Sequence, residues 1–230
     1  MFKKIPFLFF SFLILPATLL ANSADNPYPF YVGASTGYGS TNWDGLVNQD
    51  SVNYPYVETS APSAAQDKGL VYGLFAGYNF TKNFAVEFRY IDFPTATVVF
   101  GPPTNYNANN VASFQTSTYT YSLVGKVITP IGESPFSVFA DAGLVYTHRS
   151  DVLANSDMNA QGFDQGMNGK KYNYGGMFGA GLYYQLTQHL FTGFEGTYGS
   201  GYGQSIEYPA KTYIPFTYAI QIEMGYRFAL

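Results

Sequence analysis

The 230-residue sequence contains no cysteine. That absence removes a disulfide framework, a thiolate metal site and a cysteine nucleophile together. Charge is also scarce: Asp, Glu, Lys and Arg make up 11% of the chain, under half of the roughly 25% usual in soluble domains. The few lysines and arginines form no cluster, so nothing neutralises a run of phosphates, and nucleic acid is excluded as a partner. Beyond the N-terminus no apolar stretch reaches the about 18 residues at which a membrane-spanning helix is considered. What the chain has in abundance is aromatic surface, with 21 Phe, 22 Tyr and 1 Trp. Tyrosine and tryptophan combine an apolar body with a polar end and gather where apolar medium meets water.

The N-terminus reads as an export signal. Lys3 and Lys4 precede an apolar run from Ile5 to Leu15, Pro16 interrupts it, and small residues follow around Ala21 to Ala24. Charge, short apolar core and small-residue exit, in that order, predict a signal peptide over residues 1–21 with cleavage between 21 and 24. The run is shorter than the roughly 20 residues a membrane anchor needs. Cleavage leaves the mature chain two charges more acidic than the −4 of the full sequence.

From residue 28 to 230 the dominant pattern is alternation. Leu70, Tyr72, Leu74, Ala76, Tyr78 and Phe80 share one phase and Val71, Gly73, Phe75 and Gly77 the other; a period of two puts each set on one face of a strand. The next run alternates Phe84, Val86, Phe88 and Tyr90 with Ala85, Glu87, Arg89 and Ile91, and only Thr81-Lys82-Asn83 lies between, a hairpin turn. Similar runs occur near residues 30–39, 119–127, 136–146, 177–186, 190–198 and 216–230, eight in all. The connections alternate between short and long, the long ones covering roughly 41–68, 94–113, 149–171 and 200–212.

The predicted fold class is all-β: an eight-stranded antiparallel transmembrane up-and-down β-barrel with short periplasmic turns and long extracellular loops. A soluble barrel would bury its bulky apolar phase inside. Here that phase carries Phe, Tyr, Leu and Ile, while the other carries Gly, Ser, Thr and nearly all strand charges. Eight strands enclose too narrow an interior for the bulky set, so that set faces lipid. Closure then satisfies every backbone group where no water reaches.

The inward phase holds Glu87, Arg89, Lys126, Asp141, Glu195, Glu223 and Arg227, and their distances from the short turns place them at comparable depth. An unpaired charge there is costly, so a paired network plugging the lumen is expected. The inward glycines Gly73, Gly77, Gly179 and Gly181 make room for neighbouring aromatics. Two aromatic borders are predicted, with Phe80, Phe84, Phe136 and Phe228 near the short turns and Tyr38, Tyr90, Tyr119, Tyr146 and Tyr198 near the loops.

The chain ends EMGYRFAL, although termini usually fray unless something ties them down. A last strand that must close against the first is tied down. Glu223, Gly225, Phe228 and Leu230 also resemble the C-terminal signal read by the barrel-assembly machinery of the outer membrane. The whole stretch is similar to the small eight-stranded OmpA/OmpX/opacity-like barrels, with no room after the barrel for a periplasmic domain. The resemblance implies the outer membrane of a Gram-negative bacterium, with outer-membrane lipid, lipopolysaccharide and the assembly machinery as partners.

Chemistry-bearing candidates are few. His148 and Ser150 continue an outward phase near the loops and resemble the His-x-Ser element of outer-membrane lipid A deacylases, but no oriented third group accompanies them. His189 reads as a solvated turn residue. Asp157, Asn159 and Gly162 half-match a calcium loop that lacks its closing glutamate, so that stretch reads as a polar loop. No metal or cofactor is implied. The expected function is a non-enzymatic outer-membrane barrel, membrane-structural or binding an extracellular ligand through its loops. The alternatives are a narrow porin and a lipid A-modifying enzyme using His148 and Ser150.

Overall fold

The computed structural model describes residues 27–43, 62–100, 112–156, 169–201 and 213–229. The signal segment, Leu230 and the calcium-like stretch 157–168 lie outside them. Among the described residues all regular structure is strand: β1 (Phe30–Asn42), β2 (Pro62–Gln66), β3 (Lys68–Asn79), β4 (Phe84–Asp92), β5 (Ala96–Phe100), β6 (Ala112–Pro130), β7 (Phe136–Ser156), β8 (Gly169–Gln185), β9 (Leu190–Gly199) and β10 (Phe216–Phe228).

Antiparallel pairing runs from β1 through β3, β4, β6, β7, β8 and β9 to β10, which pairs with β1 again. This is a closed eight-stranded barrel. The closing seam extends from Phe30 opposite Phe228 to Asn42 opposite Phe216, which is why the C-terminal residues keep their alternation. Two short turns are built alike. Thr81 Oγ1 accepts from the Asn83 and Phe84 amides, and Thr187 Oγ1 from the His189 and Leu190 amides, a hydroxyl standing in for backbone as turn threonines do.

The remaining two strands continue the wall upward. β2 prolongs β3 beyond a break at Asp67, and β5 prolongs β4 beyond Phe93-Pro94-Thr95, where Pro94 has no N–H to give a ladder. β5 pairs with both β2 and β6, and β6 with β7 as far as Ala112 opposite Ser156. The expected loops at 41–68, 94–113 and 149–171 are therefore partly strand. Outside lipid neither face of a ribbon has to be apolar, so alternation fades while the backbone ladder goes on.

The outward phase is exposed, with Leu70, Leu74, Phe88, Leu123, Leu144, Phe178, Phe194, Ile220 and Ile222 among its members, and the inward phase is buried. Leu144, 69% exposed midway along the membrane part of β7, is a direct probe of the lipid face. Leu144→Arg should lower folding stability in bilayers by roughly 2–4 kcal/mol, read by urea titration of the refolded protein.

Candidate functional site

The lumen is filled in layers. Nearest the short turns, Tyr31, Phe75, Phe139, Tyr183 and Phe191 form one buried cluster with Ala85 and Ile128, the Phe139 and Tyr183 rings stacking at 4.2 Å. Each of these five rings lies across the ladder from a glycine: Tyr31 from Gly77, Phe75 from Gly33, Phe139 from Gly181, Tyr183 from Gly193 and Phe191 from Gly225. A Cβ on any of those glycines would stand 2.2–2.6 Å from the facing ring. Gly73 and Gly179, expected to serve aromatics too, instead admit polar groups. A Cβ on Gly73 would meet Ser35 Oγ, and one on Gly179 the carboxyls of Asp141 and Glu195.

Directly above lies the charged layer. Glu87 is its hub: it accepts from Tyr31 Oη at 2.9 Å, from Arg89 Nε at 3.0 Å and from Lys126 Nζ at 3.0 Å. Arg89 shares β4 with Glu87 at i, i+2, so both project inward, and its fork also pairs with Glu195 at 2.9 Å and Asp141 at 3.5 Å. Lys126 donates to Tyr183 Oη at 2.6 Å and sits 4.3 Å from the Phe139 ring centre. All of these charged groups are at most 5% exposed.

Glu223 and Arg227 sit differently from the sequence expectation. Glu223 is buried beside Glu195 but forms no ion pair among the described residues. Arg227 is not in the layer at all. The aromatic cluster intervenes, and its guanidinium lies 4.9 Å over the Phe191 ring and donates to Gln185 Oε1 at the periplasmic rim. The layer thus gathers four acids around two cations.

Above it Val71, Ile91, Phe93, Val124, Val145, Met177 and Ala219 form a buried apolar cluster, with the buried Thr120, Ser122 and Thr197 across the ladders from Ile91, Val145 and Ala219. Above it comes a second charged group that sequence reasoning missed: Arg149 and Asp151, joined by Nε to Oδ1 at 2.8 Å and both buried. Their parity along β7, that of Asp141, carried the signal, but they fell in a segment read as loop.

On the outer face, Phe80, Phe136, Tyr38 and Tyr198 are exposed, while Phe84, Phe228, Tyr90, Tyr119 and Tyr146 are half-covered. On consecutive strands Tyr90, Tyr121, Tyr146 and Tyr174 stand directly opposite one another. His148 stacks on Tyr119 at 4.5 Å, and its Nδ1 has no hydrogen-bond partner among the described residues. Ser150 faces Ser117 and Lys170 across the ladders. Among the described residues no carboxylate hydrogen-bonds to the His148 ring, the contact that would orient a catalytic imidazole. His189 is not simply solvated: it lies between the rings of Tyr28 and Tyr226, with Nδ1 3.0 Å from the Arg227 carbonyl oxygen, and ties a short turn to the closing strand.

Among solved structures, the outer membrane protein OprG from Pseudomonas aeruginosa is similar over 90% of this chain and 99% of its own, with 16% identity and a TM-score of 0.51. Neisserial surface protein A is similar over 86% and 97%, at 11% identity and a TM-score of 0.47. The N-terminal β-barrel domain of Pseudomonas aeruginosa OprF covers 89% and 98%, at 14% and 0.47. No curated protein matches by sequence. The family described as OmpA-like transmembrane domain matches residues 24–230, and the chain belongs to that family, an integral eight-stranded barrel of the Gram-negative outer membrane.

Proposed function

We propose that the protein is a non-conducting, non-enzymatic barrel that acts through its lipid-facing wall and its extracellular surface. The observation that carries this reading is the filled lumen: five packed rings, the buried layer around Glu87 and Arg89, and the apolar cluster around Ile91, Val145 and Met177 stand in series. An ion crossing it would have to displace the paired charges and part the side chains packed above and below them, where desolvation is unfavourable. The outward face meets outer-membrane lipid and lipopolysaccharide, the loops offer a surface to an extracellular ligand, and the C-terminal Glu223, Gly225, Phe228 and Leu230 address the assembly machinery. The N-terminal segment is the cleaved export signal in this reading.

Planar-bilayer recording of the refolded protein tests it, once folding has been verified by the shift in gel mobility on boiling. The expected record is silent. Steady, reproducible current steps would replace this reading with the narrow porin, for which charge-neutralising changes at Glu87 or Arg89 should alter ion selectivity. Expression in cells should leave the mass of lipid A unchanged; a mass shift abolished by Ser150→Ala would establish the enzymatic alternative.

A further inference from the structure

The upper charged group does something the lower layer does not: it holds backbone that belongs to no barrel strand. Arg149 is wholly buried near the extracellular end of β7, where an arginine could easily reach water. Instead its Nη2 pairs with Asp151 Oδ2 at 2.6 Å, and its Nη1 crosses to the backbone carbonyl of Tyr213, 64 residues away. Lys171 reaches the same Asp151 oxygen at 3.6 Å. The guanidinium also faces the Trp43 ring at 5.0 Å, and that ring lies 5.8 Å from the ring of Tyr213. Tyr213 Oη donates to the Asn42 carbonyl at 2.7 Å, and Trp43 Nε1 to Thr41 Oγ1 at 2.8 Å.

These contacts draw Tyr213, Ile214 and Pro215, all buried, against the extracellular end of the barrel. The segment has little ladder of its own, with a single bridge at Ile214 before β10 begins at Phe216. Among the described residues its anchors are mainly side chains, and the Arg149 fork is pre-shaped to grip a carboxylate and a carbonyl together. Among the described residues the ion pairs of this group share no residue with those of the lower layer, and the apolar cluster around Ile91 and Val145 lies between the two. We infer that residues 213–215 are a lid on the extracellular mouth, kept shut by Arg149 and independent of the charged plug beneath. The lid goes beyond the closed-lumen reading, since it acts at another level and through other residues.

Composition makes the test clean. Trp43 is the only tryptophan and cysteine is absent, so intrinsic fluorescence reports on the lid and Ile214→Cys places a single thiol within it. In the refolded barrel, Trp43 should be shielded from iodide, and Ile214→Cys should react with a water-soluble maleimide far more slowly than Ser134→Cys in an exposed turn. Adding Arg149→Gln should raise the iodide quenching constant several-fold and bring Ile214→Cys to within a few-fold of the turn thiol. Arg149→Lys, which keeps the charge and loses the fork, should move both readouts in the same direction, and serves alone if the glutamine variant does not fold. Arg89→Met, changing only the lower layer, should leave Trp43 shielded in whatever fraction folds. Rapid labelling of Ile214→Cys beside an intact Arg149 would overturn the lid. Labelling that stays slow in the folded Arg149 variant would overturn Arg149 as its keeper. Neither readout depends on conduction, so the result stands apart from the bilayer recording.

Discussion

Arg89→Met should be the most damaging single change in the lumen, lowering stability by about 3–5 kcal/mol, the range for stranding a buried charge by removing its partner. Arg89 pairs with Glu87, Asp141 and Glu195 at once. Without it, Lys126 is the one cation among the described residues that pairs with these four buried acids, and it reaches Glu87 and Asp141. Glu195, beside Glu223 and with no lysine paired to it, is then the most exposed energetically. Lys126→Met should cost less, because Glu87 keeps both Arg89 and the Tyr31 hydroxyl. The decisive comparison is the double variant Arg89→Met with Glu195→Gln. If uncompensated charge is the cause, the second change restores at least half of the loss in a urea titration of the refolded barrel. If the lost packing of a long side chain is the cause, the double variant is no more stable than the single one.

Much of this arrangement was legible before any coordinate was known, and the reason lies in the lipid. Inside the membrane band the two faces of a strand must differ, so Leu123 and Val127 against Lys126, or Leu144 against Asp141, state which way each residue points. Counting from the short turns then gives height, which puts Glu87, Arg89, Lys126, Asp141, Glu195, Glu223 and Arg227 at comparable depth. Reach is not legible in this way. Arg227 shares the inward phase, but Tyr31, Tyr183 and Phe191 fill the space between it and the acids, and it turns to Gln185 instead. Above the membrane the contrast disappears. Ser113, Gln115 and Ser117 on one face of β6 oppose Thr116 and Thr118 on the other, so residues 112–113 read as loop and the strand is legible only from Tyr119. The same blindness hid Arg149 and Asp151, and it hid Trp43 and Tyr213 completely, because those two flank strands rather than lie within them.

Gly225→Ala is the second large expected effect, and it separates two explanations of one glycine. By resemblance, Gly225 belongs to the C-terminal signal with Glu223, Phe228 and Leu230. By geometry, it is the floor under Phe191: the residues are ladder partners, and an added Cβ would lie 2.2 Å from Phe191 Cζ. Relief is difficult, since the Phe191 ring packs on Tyr183 at 5.1 Å and on Tyr31 at 5.9 Å, and the Arg227 guanidinium lies over it. Overpacking a filled core costs about 1–3 kcal/mol, and with no free side this site should fall at the upper end. Refolding into detergent or lipid without any assembly machinery isolates the steric part. There, Gly225→Ala should refold poorly and Phe191→Leu should rescue it by removing the colliding ring atoms. Wild-type refolding of the single variant would refute the collision. If the rescued double variant refolds in the test tube yet fails to reach the outer membrane in cells, the same glycine is also read as part of the signal. If it reaches the membrane, the glycine is required there by the ring across the ladder.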